Sequence, residues 1–127
     1  MRHILIVDDN APICEVMSDV LEMEGYQTTI RITGKDTLLF IENLHPDLVL
    51  LDVMLDNGID GREICRAIKQ SSNWVKDIPV IMVSASHNLE AALKNACEPD
   101  DFISKPFDIY HLVDVVSKQL LIRYGNN

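Results

Sequence analysis

A chain of 127 residues fits one domain, and its 47% hydrophobic content supports a real core, which excludes a disordered segment. The 11 basic and 20 acidic residues leave a net charge of −9, which argues against direct binding to nucleic acid or an anionic membrane surface and suits a cation site or a basic partner. No apolar run approaches the roughly 20 residues of a membrane span, and Asp8-Asp9 interrupts the N-terminal run too early for a signal peptide, so a cytoplasmic location is expected.

The first strand is predicted over residues 4–7, an unbroken aliphatic run of the kind that parallel sheets bury on both faces. A helix follows over 12–24, with Pro12 in its first turn, Ile13, Val16, Met17, Val20 and Leu21 at helical spacing, and Gly25 as the stop. Residues 26–32 form a weaker, more polar strand, expected at the sheet edge. A helix over 35–44 is expected to bury Leu38, Leu39 and Ile41 before His45-Pro46-Asp47 breaks it. The third strand, 48–53, is the most apolar and is placed centrally. Residues 54–61 are a loop, and Asp60 is predicted to cap a helix over 62–70 with Ile64, Cys65 and Ile68 inward. A polar connection over 71–78 leads to the fourth strand, 80–84. A thinly apolar helix over 88–97 is expected to be the least firmly packed. A short fifth strand spans 102–104. Asp108 is predicted to cap the last helix, whose stripe is Ile109, Leu112, Val113, Val116, Leu120 and Leu121, and the tail Gly125-Asn126-Asn127 is expected to fray.

Five βα units in series imply a parallel sheet with right-handed crossovers and helices on both faces. Such folds bind ligands beyond the carboxyl ends of their strands. The three cysteines, Cys14, Cys65 and Cys97, form no C-x-x-C pair and are expected to be reduced, packed thiols.

The strand ends carry the chemistry. Asp8 and Asp9 close the first strand, Asp52 ends the third apolar run, Ser84 ends the fourth, and Lys105 follows the fifth. In a parallel sheet these groups converge at one edge. Magnesium takes oxygen ligands at about 2.0–2.1 Å in octahedral geometry, and Asp9, Asp52 and one backbone carbonyl make a suitable partial shell. Carboxylates gathered in one crevice repel each other, which raises the proton affinity of at least one, and a divalent cation with the Lys105 ammonium offsets this. Asp52, exposed at the end of a buried strand, suits nucleophilic attack on phosphorus to form an acyl phosphate. Lys105 would neutralise phosphoryl oxygens, and Ser84 would donate a hydroxyl hydrogen bond. Taken singly, these are ordinary turn-capping aspartates, a strand-end serine and a surface lysine; their equivalent positions on successive strands favour the functional reading. A cis Lys105-Pro106 bond is open to the sequence and would aim the lysine into the crevice.

Asp8-Asp9, Asp52, Ser84-Ala85 and Lys105-Pro106-Phe107, in that order, resemble a response regulator receiver domain of two-component signalling, over roughly residues 4–121. The resemblance implies an α/β, doubly wound, flavodoxin-like fold like that of a chemotaxis regulator: a five-stranded parallel sheet of order 2-1-3-4-5. It also implies a single receiver domain over 1–127, with a core of about 3–122 and a tail at 123–127. By the same resemblance, Asp52 is the phosphoacceptor and receives phosphate from a histidine kinase or phosphotransfer protein. Asp8, Asp9 and Asp52 hold Mg2+, and the Met54 backbone carbonyl completes the protein ligands. Lys105 and Ser84 contact the phosphoryl group, and Phe102 is the aromatic switch. Ser84 then moves toward the phosphoryl group, Phe102 turns inward, and the fourth helix, fifth strand and fifth helix change shape, a population shift between two states. That face is the expected docking surface for a downstream protein, for an output domain outside this chain, or for a homodimer. No direct contact with nucleic acid or membrane is expected, and no enzymatic turnover beyond self-phosphorylation and slow self-dephosphorylation.

The chain departs from the family pattern in four respects. Asp56 replaces the usual proline, and the loop from Asp56 to Gly61 is one residue longer than in common members. Serine stands for the commoner threonine at position 84, and Phe102 lacks a tyrosine hydroxyl. Met54 and Ser86 stand where other members often carry amides or acids that position water, so slow self-dephosphorylation is expected. Two other classes compete. A haloacid-dehalogenase-like phosphohydrolase needs an acid two residues after its nucleophile, where this chain has Asn10 after Asp8. A receiver-like scaffold without phosphorylation would not need the complete acidic and basic set.

Overall fold

The computed structural model describes residues 1–85 and 97–125. In chain order the elements are β1 (His3–Val7), α1 (Ala11–Met23), β2 (Gln27–Arg31), α2 (Thr37–Leu44), β3 (Leu48–Asp52), α3 (Gly61–Lys69), β4 (Val80–Ser84), β5 (Asp101–Ser104) and a C-terminal helix (Ile109–Tyr124). The five strands form one parallel sheet in the order β2-β1-β3-β4-β5, as the family resemblance implied.

Alternation along each strand divides the core into two layers. Leu5, Val7, Val49, Leu51, Val80 and Met82 pack on one face with Ile41, Cys65 and Ile68. Ile4, Ile6, Leu48, Leu50, Ile81 and Ile103 pack on the other with Met17, Leu21, Leu112 and Val116. Both faces of β1, β3 and β4 are covered, so their aliphatic runs need no polar alternation. β2 is the half-exposed edge strand anticipated from its polar sequence.

The helix starts follow side-chain chemistry. Asn10 accepts from the Ile13 N–H at 3.2 Å, Asp60 from Arg62 N–H at 2.9 Å and Asp108 from Tyr110 N–H at 2.7 Å. Each satisfies an N-terminal amide that the helix itself leaves unpaired. Asp60 and Asp108 were expected as caps.

Several expectations need correction. α2 begins at Thr37 rather than at residue 35, because Asp36 adopts a left-handed conformation (φ 56°) just before it. Four residues assigned to buried stripes face outward: Val16 is 51% exposed, Leu39 59%, Ile109 43% and Leu121 51%. Helical periodicity marks an apolar sector, but the sheet covers only the width that it contacts. Within the connection predicted over 71–78, Trp74–Asp77 form a 3₁₀ turn that buries Val75. Trp74 stacks on His45 with ring centroids 4.3 Å apart. None of the three cysteines forms a disulfide and all are buried, as expected. The helix predicted over 88–97 falls, apart from Cys97, outside the described residues, as do Asn126 and Asn127 of the tail.

Candidate functional site

Strand register brings the polar residues together. Val7 pairs with Leu51, so Asp8 and Asp52 leave neighbouring strands at the same level. Asp52 pairs with Val83, which places Ser84 one residue beyond it on β4. Ser84 pairs with Ser104, and Lys105 N–H donates to the Ser84 carbonyl at 2.6 Å. Thus Asp8, Asp52, Ser84 and Lys105 occupy the ends of four adjacent strands, β1, β3, β4 and β5. The Lys105-Pro106 peptide is cis.

Asp8 is only 1% exposed. One carboxylate oxygen accepts from Asn10 N–H at 2.9 Å and the other from the Lys105 ammonium at 2.8 Å. The same ammonium lies 3.7 Å from Asp52 Oδ1. Asp9 is exposed at the mouth of the crevice. One carboxylate oxygen from each of Asp8, Asp9 and Asp52 lies within 4.8 Å of the others. Octahedral bonds of about 2.0–2.1 Å set opposite ligands about 4 Å apart, so the three oxygens can close on one small, hard cation.

The electrostatics fit such an ion. Burial pushes the Asp52 carboxyl up to about 6, and the negative charge of Asp8 adds to the rise. Lys105 and the Val53 N–H oppose it without cancelling it. The Cys14 thiol donates to the Asp8 carbonyl at 3.2 Å, and burial first, then the Asp8 charge, raises its pKa to about 11. This thiol therefore stays protonated and supports the strand end from below. The donor set is all oxygen, with three carboxylates beside a single lysine, and it fits magnesium better than softer metals.

The loop after β3 presents Met54 with its side chain 75% exposed. Met54 bridges Asp60 across the loop, and Leu55 N–H donates to the Ile59 carbonyl at 3.0 Å. Asp56–Gly58 make a single 3₁₀ turn, with Asn57 (φ 54°) and Gly58 (φ 73°) in the left-handed region. The Asp56 carboxylate accepts from Thr33 Oγ1 at 3.1 Å and from Gly34 N–H at 3.1 Å. The Gly34 amide is the main reason that its pKa is lowered.

Two contributors escaped the sequence reading. At Gly61 a Cβ would lie 1.9 Å from the Asp52 carbonyl oxygen, so only glycine lets α3 start against the end of β3. Its N–H donates to the Val53 carbonyl at 2.7 Å. A glycine directly after the Asp60 cap was the available signal. Asp56 was noted only as a departure, yet it joins two loops. Phe102 pairs with Met82 on β4 and is half-buried against the layer that holds Leu5 and Val7. Ser84 is 2% exposed, and Ser86 lies outside the described residues. Beside Lys105 an apolar groove of about 610 Å³ runs between Pro12, Ile13 and Val16 of α1 and Pro106, Phe107 and Ile109.

A doubly wound parallel sheet with an acidic crevice and one lysine at its carboxyl edge defines a receiver-type α/β domain. The chain belongs to the response regulator receiver domain family, whose model matches residues 4–117. It is 36% identical over 120 residues to the DNA-binding response regulator MtrA of Mycolicibacterium paratuberculosis (strain ATCC BAA-968 / K-10), covering 94% of this chain and 51% of that protein. The chain thus spans about half the length of that curated relative. Among solved structures, the CheY-like response regulator receiver domain protein from Methanospirillum hungatei JF-1 superposes with a TM-score of 0.87 at 27% identity, covering 100% of this chain and 99% of the other. The signal receiver domain of a signal transduction histidine kinase from Syntrophus aciditrophicus gives 0.86 at 32% identity, covering 100% and 95%. The protein is a receiver domain of two-component signalling. Among the described residues, no helix is long and apolar enough to cross a membrane.

Proposed function

We propose that Asp52 accepts a phosphoryl group from a histidine kinase or phosphotransfer protein in a magnesium-dependent reaction. The observation that supports this most is the cluster of Asp8, Asp9 and Asp52 oxygens within 4.8 Å, with Lys105 paired to Asp8 at 2.8 Å. An Asp52 carboxylate oxygen attacks phosphorus as the bond from phosphorus to the donor breaks. The donor leaves with that bond's electron pair, and an acyl phosphate forms on Asp52. Lys105 exchanges part of its contact with Asp8 for the arriving phosphoryl oxygens, and the Ser84 hydroxyl donates to the same group. Asp8, Asp9, Asp52 and the Met54 carbonyl would hold Mg2+, which when bound supplies positive charge against the carboxylates and the transferring group.

The phosphorylated form then biases Ser84 and Phe102 toward a second arrangement, and β5 with the C-terminal helix and the helix predicted over 88–97 presents the altered face. The phenyl ring of Phe102 acts by packing alone. The readers of that face are a downstream protein, an output domain joined to this one in a longer chain, or a second copy. The whole chain is one receiver unit, 1–127. The apolar groove beside Lys105 offers a phosphodonor an apolar seat next to the acceptor.

Incubation with acetyl phosphate and Mg2+, read by intact-protein mass, tests this. One added phosphate, abolished by Asp52→Asn or by chelation of the metal, is the expected result. Continuous release of phosphate would identify a hydrolase, and no adduct would leave a scaffold. Self-dephosphorylation is slow, because neither Met54 nor Ser86 supplies a general base. Decay of the adduct should quicken in Met54→Asn and Ser86→Glu, and unchanged decay in both would refute this point.

A further inference from the structure

The β3–α3 loop is longer by one residue than the family pattern, yet Met54 at its root must hold a fixed carbonyl for the proposed metal. What fixes this loop lies partly outside it. Its internal rungs are the Met54–Asp60 bridge and the Leu55 N–H to Ile59 carbonyl bond of 3.0 Å. Beyond them, Asn57 and Gly58 are exposed and left-handed. Asp56, at the turn between rungs and tip, reaches across to the β2–α2 loop. There it takes Thr33 Oγ1 on one oxygen and Gly34 N–H on the other, each at 3.1 Å. The contact beneath is close: a Cβ on Gly34 would lie 2.8 Å from both Leu55 Cδ1 and Ile59 Cγ2. Gly34 therefore serves twice, since its missing side chain admits Leu55 and Ile59 and its amide meets Asp56. Thr33 and Gly34 are themselves anchored, with Thr37 Oγ1 donating to the Gly34 carbonyl at 2.7 Å from the first turn of α2.

We infer that Asp56 is a positioning residue that holds the Met54 carbonyl in place by clamping the lengthened phosphoacceptor loop to the β2–α2 loop. This rests on the proposed reading of Met54 as a metal ligand. A proline at this position, as in common family members, would stiffen the loop from within. Here an inter-loop carboxylate clamp does that work, and it lets the extra residue be absorbed at the tip without displacing the root. Asp56 is bonded to Thr33 and Gly34 and stands apart from the Asp8, Asp9 and Asp52 cluster, so its effect passes through loop geometry.

Two readouts on the whole chain test this: Mg2+ affinity by calorimetry, and amide hydrogen exchange at Gly34 in metal-free protein. In Asp56→Ala, the Gly34 amide should lose protection and the Mg2+ dissociation constant should rise roughly three- to tenfold. Asp56→Asn keeps an oxygen acceptor and should stay within about twofold of wild type. Thr33→Val removes one arm of the clamp from the opposite loop and should weaken Mg2+ binding less than Asp56→Ala; it also serves if the alanine variant does not fold. Loss of Gly34 protection with unchanged Mg2+ affinity overturns the inference. So does an asparagine variant as weak as the alanine one, because charge rather than tethering would then be the cause. Wild-type protein that neither binds Mg2+ nor takes phosphate from acetyl phosphate would refute the underlying reading of the site instead.

Discussion

Asp47 and Asp52 flank the same strand, β3, and the molecule treats them in opposite ways. At the amino edge of the sheet, Asp47 accepts from His3 N–H at 2.8 Å, lies 3.5 Å from the Arg2 guanidinium, and has its carbonyl bonded by Tyr124 Oη at 2.8 Å. Asp100 repeats the pattern before β5: its carboxylate accepts from Val80 N–H at 2.7 Å and from the Lys69 ammonium. At the carboxyl edge, Asp8 and Asp52 share one lysine, Asp9 adds a third carboxylate, and burial lifts Asp52 to about 6. One end of the sheet uses carboxylates to close the fold. The other holds them in a state that costs stability until a cation or a phosphoryl group changes the charge balance.

The largest effect is expected where the two purposes meet. Gly61→Ala places a Cβ 1.9 Å from the Asp52 carbonyl. Helix α3 or the end of β3 must shift, and urea unfolding should show a loss of about 3 kcal/mol together with impaired phosphorylation. A variant with wild-type stability would mean that the close approach is not needed.

At the closed end, Asp100→Ala leaves the buried Val80 amide and Lys69 without their shared acceptor. A loss of about 2 kcal/mol in the same assay is expected, and a gain would erase the contrast between the edges.

At the strained end the sign reverses. The folded-state pKa of Asp52 is raised from the ordinary 3.8, so between those two values the native state binds more protons than the unfolded chain. Its contribution to stability therefore falls as pH rises from about 4 through about 6, and the cost is fully present above that. In chelator-treated protein, Asp52→Asn should be more stable than wild type by about 1–2 kcal/mol at neutral pH, less than the full linkage value because solvent and Lys105 screen the charge. The difference should shrink toward zero near pH ~4. Thermal melts across this range decide it, and a neutral-pH loss would show that Asp52 is not destabilised. Added Mg2+ should narrow the gap by stabilising wild type more.

The smallest effect belongs to a half-exposed pair. Arg2→Ala removes the contact with Asp47 and the stacking over Tyr124, whose ring centroid lies 4.2 Å from the guanidinium carbon. About 0.5 kcal/mol is expected, and less at high salt; an effect as large as that of Asp100→Ala would mean that the amino edge depends on surface pairs as much as on buried amides.

The acidic site was legible because it sits at the ends of aliphatic runs, where neighbours in sequence already tell strand from loop. Asp8, Asp9, Asp52, Ser84 and Lys105 could be placed at one edge once the runs were taken as parallel, and the paired strands bring them there. The caps Asp60 and Asp108 were legible for the same local reason. Asp56 was visible as an unusual residue but not as a clamp, since its partners Thr33 and Gly34 lie in another loop. The outward positions of Val16, Leu39, Ile109 and Leu121 were misread because an apolar sector does not state how wide its cover is. The stack of His45 on Trp74 joins the end of α2 to a 3₁₀ turn with no sequence pattern that announces it.

The sequence by itself determined the alternation of buried strands with amphipathic helices, the order of the chemical groups and the excess of negative charge. These follow from side-chain chemistry read within a few residues. Tertiary structure alone decided that Gly61 must lack a side chain, that Asp56 spans two loops and that Asp52 is the carboxylate whose ionisation is penalised. Each of these depends on a distance between segments remote in the chain, and such distances are set only when the strands pair and the loops pack.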